Sequence, residues 1–196
     1  MSEHIDDIEI VIFDTETTGL KPEEGDRIVE LAALRVKAQN RVAVFDELVN
    51  PGREISPGAF AVNKITPEML KDAPRIETVM PKFLAFIQDH CLCSYNAEFD
   101  MNFLNNEIKL IGLAAIKNII VLDVLAMAIQ FMPGLSRYAL WFVAEKLGVK
   151  SVQQHRALAD VEMSWEVFTK LKMIGRGKGI RSIADFSRLF AFNPRR

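Results

Sequence analysis

Residues 8–14 restrict the fold more than any other part of the chain. Ile8, Ile10, Val11, Ile12 and Phe13 form a near-continuous apolar run that ends on Asp14. Such a run reads as a strand covered on both faces, because a covered sheet leaves no side for polar alternation. Gly19 and Lys21-Pro22 break it. Arg27 to Val36 predicts a second strand, residues 37–40 a polar turn, and Val42 to Val49 a third strand. Three strands on short connections predict an antiparallel meander.

Pro51, Pro57 and Gly58 mark a loop, and helical periodicity begins near Pro67. Val79, Phe83, Phe86 and Ile87 then recur at helix spacing. Leu92 to Tyr95 is a short strand, and Asn96 is placed to cap a helix carrying Phe99, Phe103, Leu104 and Ile111. Ile119 to Leu122 predicts a fifth strand, followed by a helix to Met132. Leu140 to Leu147 predicts another helix, ended by Gly148. Val161, Trp165, Phe168 and Lys172 mark the last long helix. Gly175 to Gly179 reads as a flexible linker, and Ser182 and Asp185 are spaced as a capping box before Phe186 and Phe190. The order predicts an α/β domain over residues 1–174, a mixed sheet flanked by helices, with a short appendage at 175–196.

Of the 196 residues, 49% are hydrophobic and 26% charged, which excludes a disordered chain. No apolar run reaches ~18 residues, so no membrane span is expected. The acidic N-terminus does not resemble a signal peptide. Cys91 and Cys93 sit two apart on a predicted strand, on opposite faces, so they are expected to be unpaired thiols in a reducing cytoplasm. Residues 1–169 carry 16 basic and 25 acidic side chains, whereas residues 170–196 carry eight basic ones and a single acid, Asp185. Two readings of the basic end stand side by side: contact with an anionic partner, or a solvated tail.

Asp14 and Glu16 end the first strand with both carboxylates on one face, roughly 6.6 Å apart along the chain. An isolated pair of this kind is common at solvated strand ends. Here an apolar run precedes it and Thr17-Thr18-Gly19 follows, where glycine permits a tight turn that could aim amides at an anion. Asp100 falls in the first turn of the helix after Asn96, where the helix dipole alone would accommodate an acid. His155 and Asp160 converge only if His155 lies on a loop and Asp160 inside the following helix. Together, four carboxylates and a histidine make an oxygen-rich site suited to Mg²⁺ or Mn²⁺. Such a set fits two ions about 3.5–4 Å apart, the arrangement used for displacement at phosphorus. A histidine with pKa near 6.5 can take a proton from water.

Residues 13–20 (Phe-Asp-Thr-Glu-Thr-Thr-Gly-Leu), 96–100 (Asn-Ala-Glu-Phe-Asp) and 155–160 (His-Arg-Ala-Leu-Ala-Asp) resemble, in order and spacing, the three motifs of the DEDDh 3′–5′ exonucleases. That family includes bacterial DNA polymerase III proofreading subunits and ribonuclease T. The resemblance implies a ribonuclease H-like fold with a five-stranded mixed sheet. It implies two Mg²⁺ (or Mn²⁺) ions, with Asp14 bridging both and Glu16 and Asp160 completing the site of one. Asp100 would hold the second through water, and His155 would be the general base. Thr17, Leu20, Asn96 and Phe99 would position the terminal nucleotide. For Leu20 and Phe99, ordinary core packing is the competing reading. Asn63-Lys64 stands where many relatives have His-Gly, Gly58 where proofreading subunits carry an acid, and Tyr95 where relatives often have His.

The expected activity is release of nucleoside 5′-monophosphates from 3′ ends of single-stranded DNA. Proofreading for a polymerase docked through the C-terminal segment is one setting for it. An RNA 3′-end exonuclease is the alternative enzyme. A module that docks on a polymerase or helicase without significant catalysis is the alternative class.

Overall fold

The computed structural model describes residues 3–150 and 156–193. β1 (Glu9–Thr17), β2 (Ile28–Lys37) and β3 (Asn40–Leu48) form the expected antiparallel meander. β4 (Cys91–Ser94) and β5 (Val121–Asp123) add in parallel to give one sheet of order β3-β2-β1-β4-β5. Its helices are α1 (Pro57–Asn63), α2 (Pro67–Leu70), α3 (Ile76–Ile87), α4 (Ala97–Leu110), α5 (Val124–Phe131), α6 (Leu140–Lys146), α7 (Ala157–Gly177) and α8 (Ile183–Phe190).

The two faces of β1 explain its apolar run. Ile10 and Ile12 enter a core shared with α5, α6, α7 and α8, while Val11 and Phe13 enter a second core with α3 and α4. Both faces are buried from Ile10 to Phe13, so none of these positions needs to face water. The parallel pairing with β4 covers only Ile10 to Ile12, and β1 runs on past it with Asp14 and Glu16. A β-bulge between Glu16 and Thr17 lies at the same end, where bulges commonly re-aim side chains. Ligands of open α/β sheets bind outside the carboxyl ends of their parallel strands, and this is that end.

Three expectations need correction. The loop expected around Pro57 contains α1: Pro57 stands at its first position, where a missing N–H costs nothing, and the Ser56 hydroxyl accepts from the Ala59 amide at 3.2 Å. Asn96 precedes α4 but does not cap it with its side chain; its backbone is left-handed, with φ 69°. The glycine linker is the end of α7. A Cβ on Gly175 would meet the rings of Phe131 at 3.2 Å and Phe186 at 3.4 Å, so glycine there lets α8 pack closely. Phe186 and Phe190 are buried, and the expected capping box at Ser182 and Asp185 is present. The amide of Phe192 donates to the Val121 carbonyl at 2.7 Å, and the amide of Ile5 donates to the Arg181 carbonyl at 3.0 Å. The last helix is therefore tied to the sheet and to the N-terminal segment. Cys91 and Cys93 are free thiols, pushed above their usual pKa chiefly by burial. Among the described residues, no helix is long and apolar enough to cross a membrane.

Candidate active site

Asp14, Glu16 and Asp160 each present a carboxylate oxygen within 4.8 Å of the others. Two come from the protruding end of β1 and the third from the first turn of α7. What brings α7 there is Glu30, a charged residue inside the apolar β2. It is 1% exposed and lies directly across from Glu16 in the sheet. Its carboxylate accepts from Arg156 Nε at 3.0 Å and Nη2 at 2.5 Å, and from the Ala157 amide at 2.9 Å. The helix start is thus pinned three residues before Asp160.

Asp100 lies close by but does not join the cluster of three. One of its oxygens accepts from the Thr15 amide at 3.0 Å and hydroxyl at 2.7 Å, and the other from Ser94 Oγ at 2.5 Å. Burial raises its pKa to about 6, against the lowering effect of these hydrogen bonds. Burial is also the largest cause for Asp14, whose pKa rises well above the usual carboxylate range, with Asp100, Glu16, Asp160 and Glu30 pushing the same way. Glu16 is raised to about 8 by burial and by Asp160, Glu30 and Asp100, with a hydrogen bond to Asn63 opposing. Arg156 attracts Glu16, but its guanidinium is engaged by Glu30 and the net shifts of Asp14 and Glu16 stay upward. An all-oxygen cluster of mutually repelling carboxylates fits a hard divalent cation.

Beside the carboxylates is a cavity of about 600 Å³, walled by Leu20, Val62 and Phe99 and reaching Asp100. Leu20 is 77% exposed, so it is no core residue. Phe99 serves both expectations: it lines the cavity and packs on Phe103 with ring centroids 5.0 Å apart. Thr17 also lines it; its hydroxyl donates to the Gly19 carbonyl at 2.6 Å and its own carbonyl accepts from Asn63 Nδ2 at 3.2 Å. The Thr18 amide is engaged by the Arg27 carbonyl and is not aimed at an anion. Gly19 is required by close approach: a Cβ there would lie 2.2 Å from the Asp26 carboxylate. Lys64 adopts φ 57°, a conformation that favours glycine. Gly58 leaves its part of the wall open, since a Cβ at that position would meet nothing within 4 Å. Asn96 lies apart from this cavity, on the far side of the cluster. His155 lies outside the described residues. A larger open groove, about 1070 Å³, borders Glu9, His90 and Cys91 at the opposite ends of the strands, away from these carboxylates.

Residues 11–168 match the family model for exonucleases. The chain belongs to the exonuclease family. The chain is 39% identical over 161 residues to the DNA polymerase III subunit epsilon of Treponema pallidum, covering 81% of this chain and 74% of that protein. It is 37% identical over 179 residues to the PolC-type DNA polymerase III of Caldanaerobacter subterraneus subsp. tengcongensis, covering 91% of this chain but 13% of that protein. Exonuclease X, solved in complex with 5′ overhanging duplex DNA, superposes with a TM-score of 0.70 at 27% identity, covering 92% of this chain and 98% of that one. The DEDDh resemblance and the ribonuclease H-like fold both stand.

Sequence reasoning missed Glu30 and its partner Arg156. The signal was present: a lone acid within Ile28 to Val36 has to be paired if that strand is buried. Thr15 and Ser94, which turn Asp100, carried no comparable signal, since small hydroxyl residues fit any strand end.

Proposed function

We propose that this exonuclease removes nucleotides one at a time from the 3′ end of single-stranded DNA, releasing nucleoside 5′-monophosphates. The observation that carries this reading is the convergence of Asp14, Glu16 and Asp160 at the edge of an apolar-walled cavity large enough for one nucleotide. Leu20 and Phe99 pack against the terminal base and sugar, and Thr17 shapes the backbone beneath them. Asp14, Glu16 and Asp160 would hold two Mg²⁺ (or Mn²⁺) ions, with Asp100 contributing from its withdrawn position. When bound there, such ions would supply charge neutralisation at the phosphoryl, attacking and leaving oxygens. His155 accepts the proton of the attacking water on a ring nitrogen. The water oxygen bonds to phosphorus as the bond to the preceding 3′-oxygen breaks.

The names of the relatives support a role beside a DNA polymerase. Because the apolar face of α8 is buried against its own domain, a polymerase would meet this segment through its exposed basic residues, Arg181 and Arg188. Matched single-stranded DNA and RNA oligonucleotides, labelled at the 5′ end and incubated with Mg²⁺, test the substrate. Stepwise shortening of DNA supports the proposal. Faster shortening of RNA reassigns the enzyme to RNA ends, and the absence of both products refutes the nuclease reading. His155→Ala should lower turnover by roughly 10²–10⁴-fold.

A further inference from the structure

Leu20 stands away from the core, so its own packing cannot fix where the side chain points. The backbone on either side must do so, and one carboxylate reaches both sides. Asp26 Oδ2 accepts from the Lys21 amide at 3.1 Å, and Oδ1 accepts from the Thr18 hydroxyl at 3.0 Å. The same carboxylate lies against Gly19, where a Cβ would come within 2.6 Å of its carbon and both oxygens. The Asp26 amide closes the turn by donating to the Lys21 carbonyl at 3.1 Å. Residues 18, 19 and 21 are thus held by one residue, and Leu20 is what lies between them.

We propose that Asp26 is a positioning residue of the exonuclease: it holds the loop 18–21 so that Leu20 meets the terminal nucleotide, with Arg53 as its counter-ion. The inference rests on the exonuclease reading and adds to it how the exposed wall of the cavity is held. Arg53 Nη1 lies 3.4 Å from Asp26 Oδ1 and also donates to the Gly25 carbonyl. The Thr18 hydroxyl accepts from the Arg27 amide at 3.0 Å, and the Thr18 amide donates to the Arg27 carbonyl at 2.9 Å, which ties the turn to the residue before β2. Asp26 lines the cavity, yet both its oxygens are engaged by its own chain, so its influence on a nucleotide runs through the loop. A loop ordered in advance brings the apolar contact of Leu20 without an ordering cost at binding. Asp14 and Glu16 sit on β1, and Asp160 follows the helix start that Glu30 holds. The loop does not carry these carboxylates, so its release weakens binding and leaves the chemical step.

Single-turnover cleavage of a 5′-labelled single-stranded DNA with Mg²⁺, across a range of enzyme concentrations, separates the half-saturating concentration from the maximal rate. Leu20→Ala should raise the half-saturating concentration roughly 10–100-fold, the scale of burying one leucine side chain. Asp26→Ala should raise it by a similar factor with the maximal rate close to wild type. Asp26→Asn should restore affinity, because its carbonyl still accepts from the Lys21 amide and its NH₂ group donates to the Thr18 hydroxyl. The deciding comparison is the double variant: Asp26→Ala should add little to Leu20→Ala, since two residues acting as one unit are not additive. Arg53→Gln, at an exposed side chain, keeps the test open if Asp26→Ala does not fold. It should show a smaller loss of affinity that also vanishes in the Leu20→Ala background. Wild-type affinity in Asp26→Ala or in Arg53→Gln overturns the assignment. So does a loss that multiplies in full with that of Leu20→Ala, because it then does not pass through Leu20. A wild-type chain inert toward the DNA instead overturns the exonuclease reading on which the assignment rests.

Discussion

Glu30→Gln probes how the third carboxylate is held in place. The glutamine keeps the shape of the side chain and can still accept from the Ala157 amide, but its NH₂ group then faces the Arg156 guanidinium, donor against donor. Losing one partner of a buried pair costs roughly 3–5 kcal/mol. Two effects set the value at the lower end. The Arg156 side chain is 40% exposed, so the stranded guanidinium is partly rehydrated. Removing the Glu30 charge also takes one repelling neighbour from Glu16 and Asp14. A net loss of about 3 kcal/mol lowers the melting temperature of a chain this long by about 6–12 °C. Asp160 follows Ala157 by less than one helical turn, so release of the helix start displaces it, and a shift of about 1 Å costs on the order of 10²-fold in turnover. Thermal melting in EDTA and single-turnover cleavage, measured well below the variant's melting point, give both numbers. A variant that melts within roughly 2 °C of wild type and cleaves at the wild-type rate refutes the claim that β2 positions α7.

The raised pKa values make the metal-free protein pH-sensitive in a defined direction. Glu16 and Asp14 bind protons in the folded state that the unfolded chain has released, so their contribution is full below the ordinary carboxylate range and is lost as pH rises through about 8. Melting in EDTA from about pH 5 to about pH 9 should show stability falling, and Asp14→Asn should flatten the fall; a rise with pH would contradict this. Mg²⁺ at about 100 times its Kd should restore about 2.7 kcal/mol at the upper end of that range, an effect absent in Asp14→Asn. Phe186→Ala empties a fully buried site between α7 and α8 and should cost roughly 3–5 kcal/mol by denaturant unfolding. Deleting residues 175–196 should likewise destabilise the fold; an unchanged salt slope of DNA binding in that protein would remove the basic end from the DNA-binding surface.

The sheet was legible because β1 is apolar from Ile10 to Phe13 and β2 over most of its length, and the short connections left a meander as the simplest pairing. The acidic cluster was legible because the β1 carboxylates directly follow that run. What failed was local and had a physical cause. Pro57-Gly58 signals a turn and also a helix start, and only the Ser56 cap separates the two. Gly175 signals flexibility and also close packing, and only the Phe131 and Phe186 rings, distant in sequence, decide between them. Asp100 was legible as a site residue, but not its turn toward Thr15 and Ser94, since that depends on how β1, β4 and α4 meet. Asn96 was placed with Leu20 and Phe99 by resemblance; it lines a neighbouring groove instead of their cavity.

The central claim is that the Asp14, Glu16 and Asp160 cluster supports hydrolysis from the 3′ end through bound divalent ions. The most direct measurement is the cleavage rate of a 5′-labelled single-stranded DNA as Mg²⁺ is titrated, for the wild-type chain and for Asp14→Asn. The account predicts that wild-type activity is absent in EDTA, saturates with Mg²⁺ and yields a ladder shortened from the 3′ end, while Asp14→Asn stays folded and inactive at every concentration. Cleavage that persists in EDTA, or an Asp14→Asn protein that retains the wild-type rate, would contradict it.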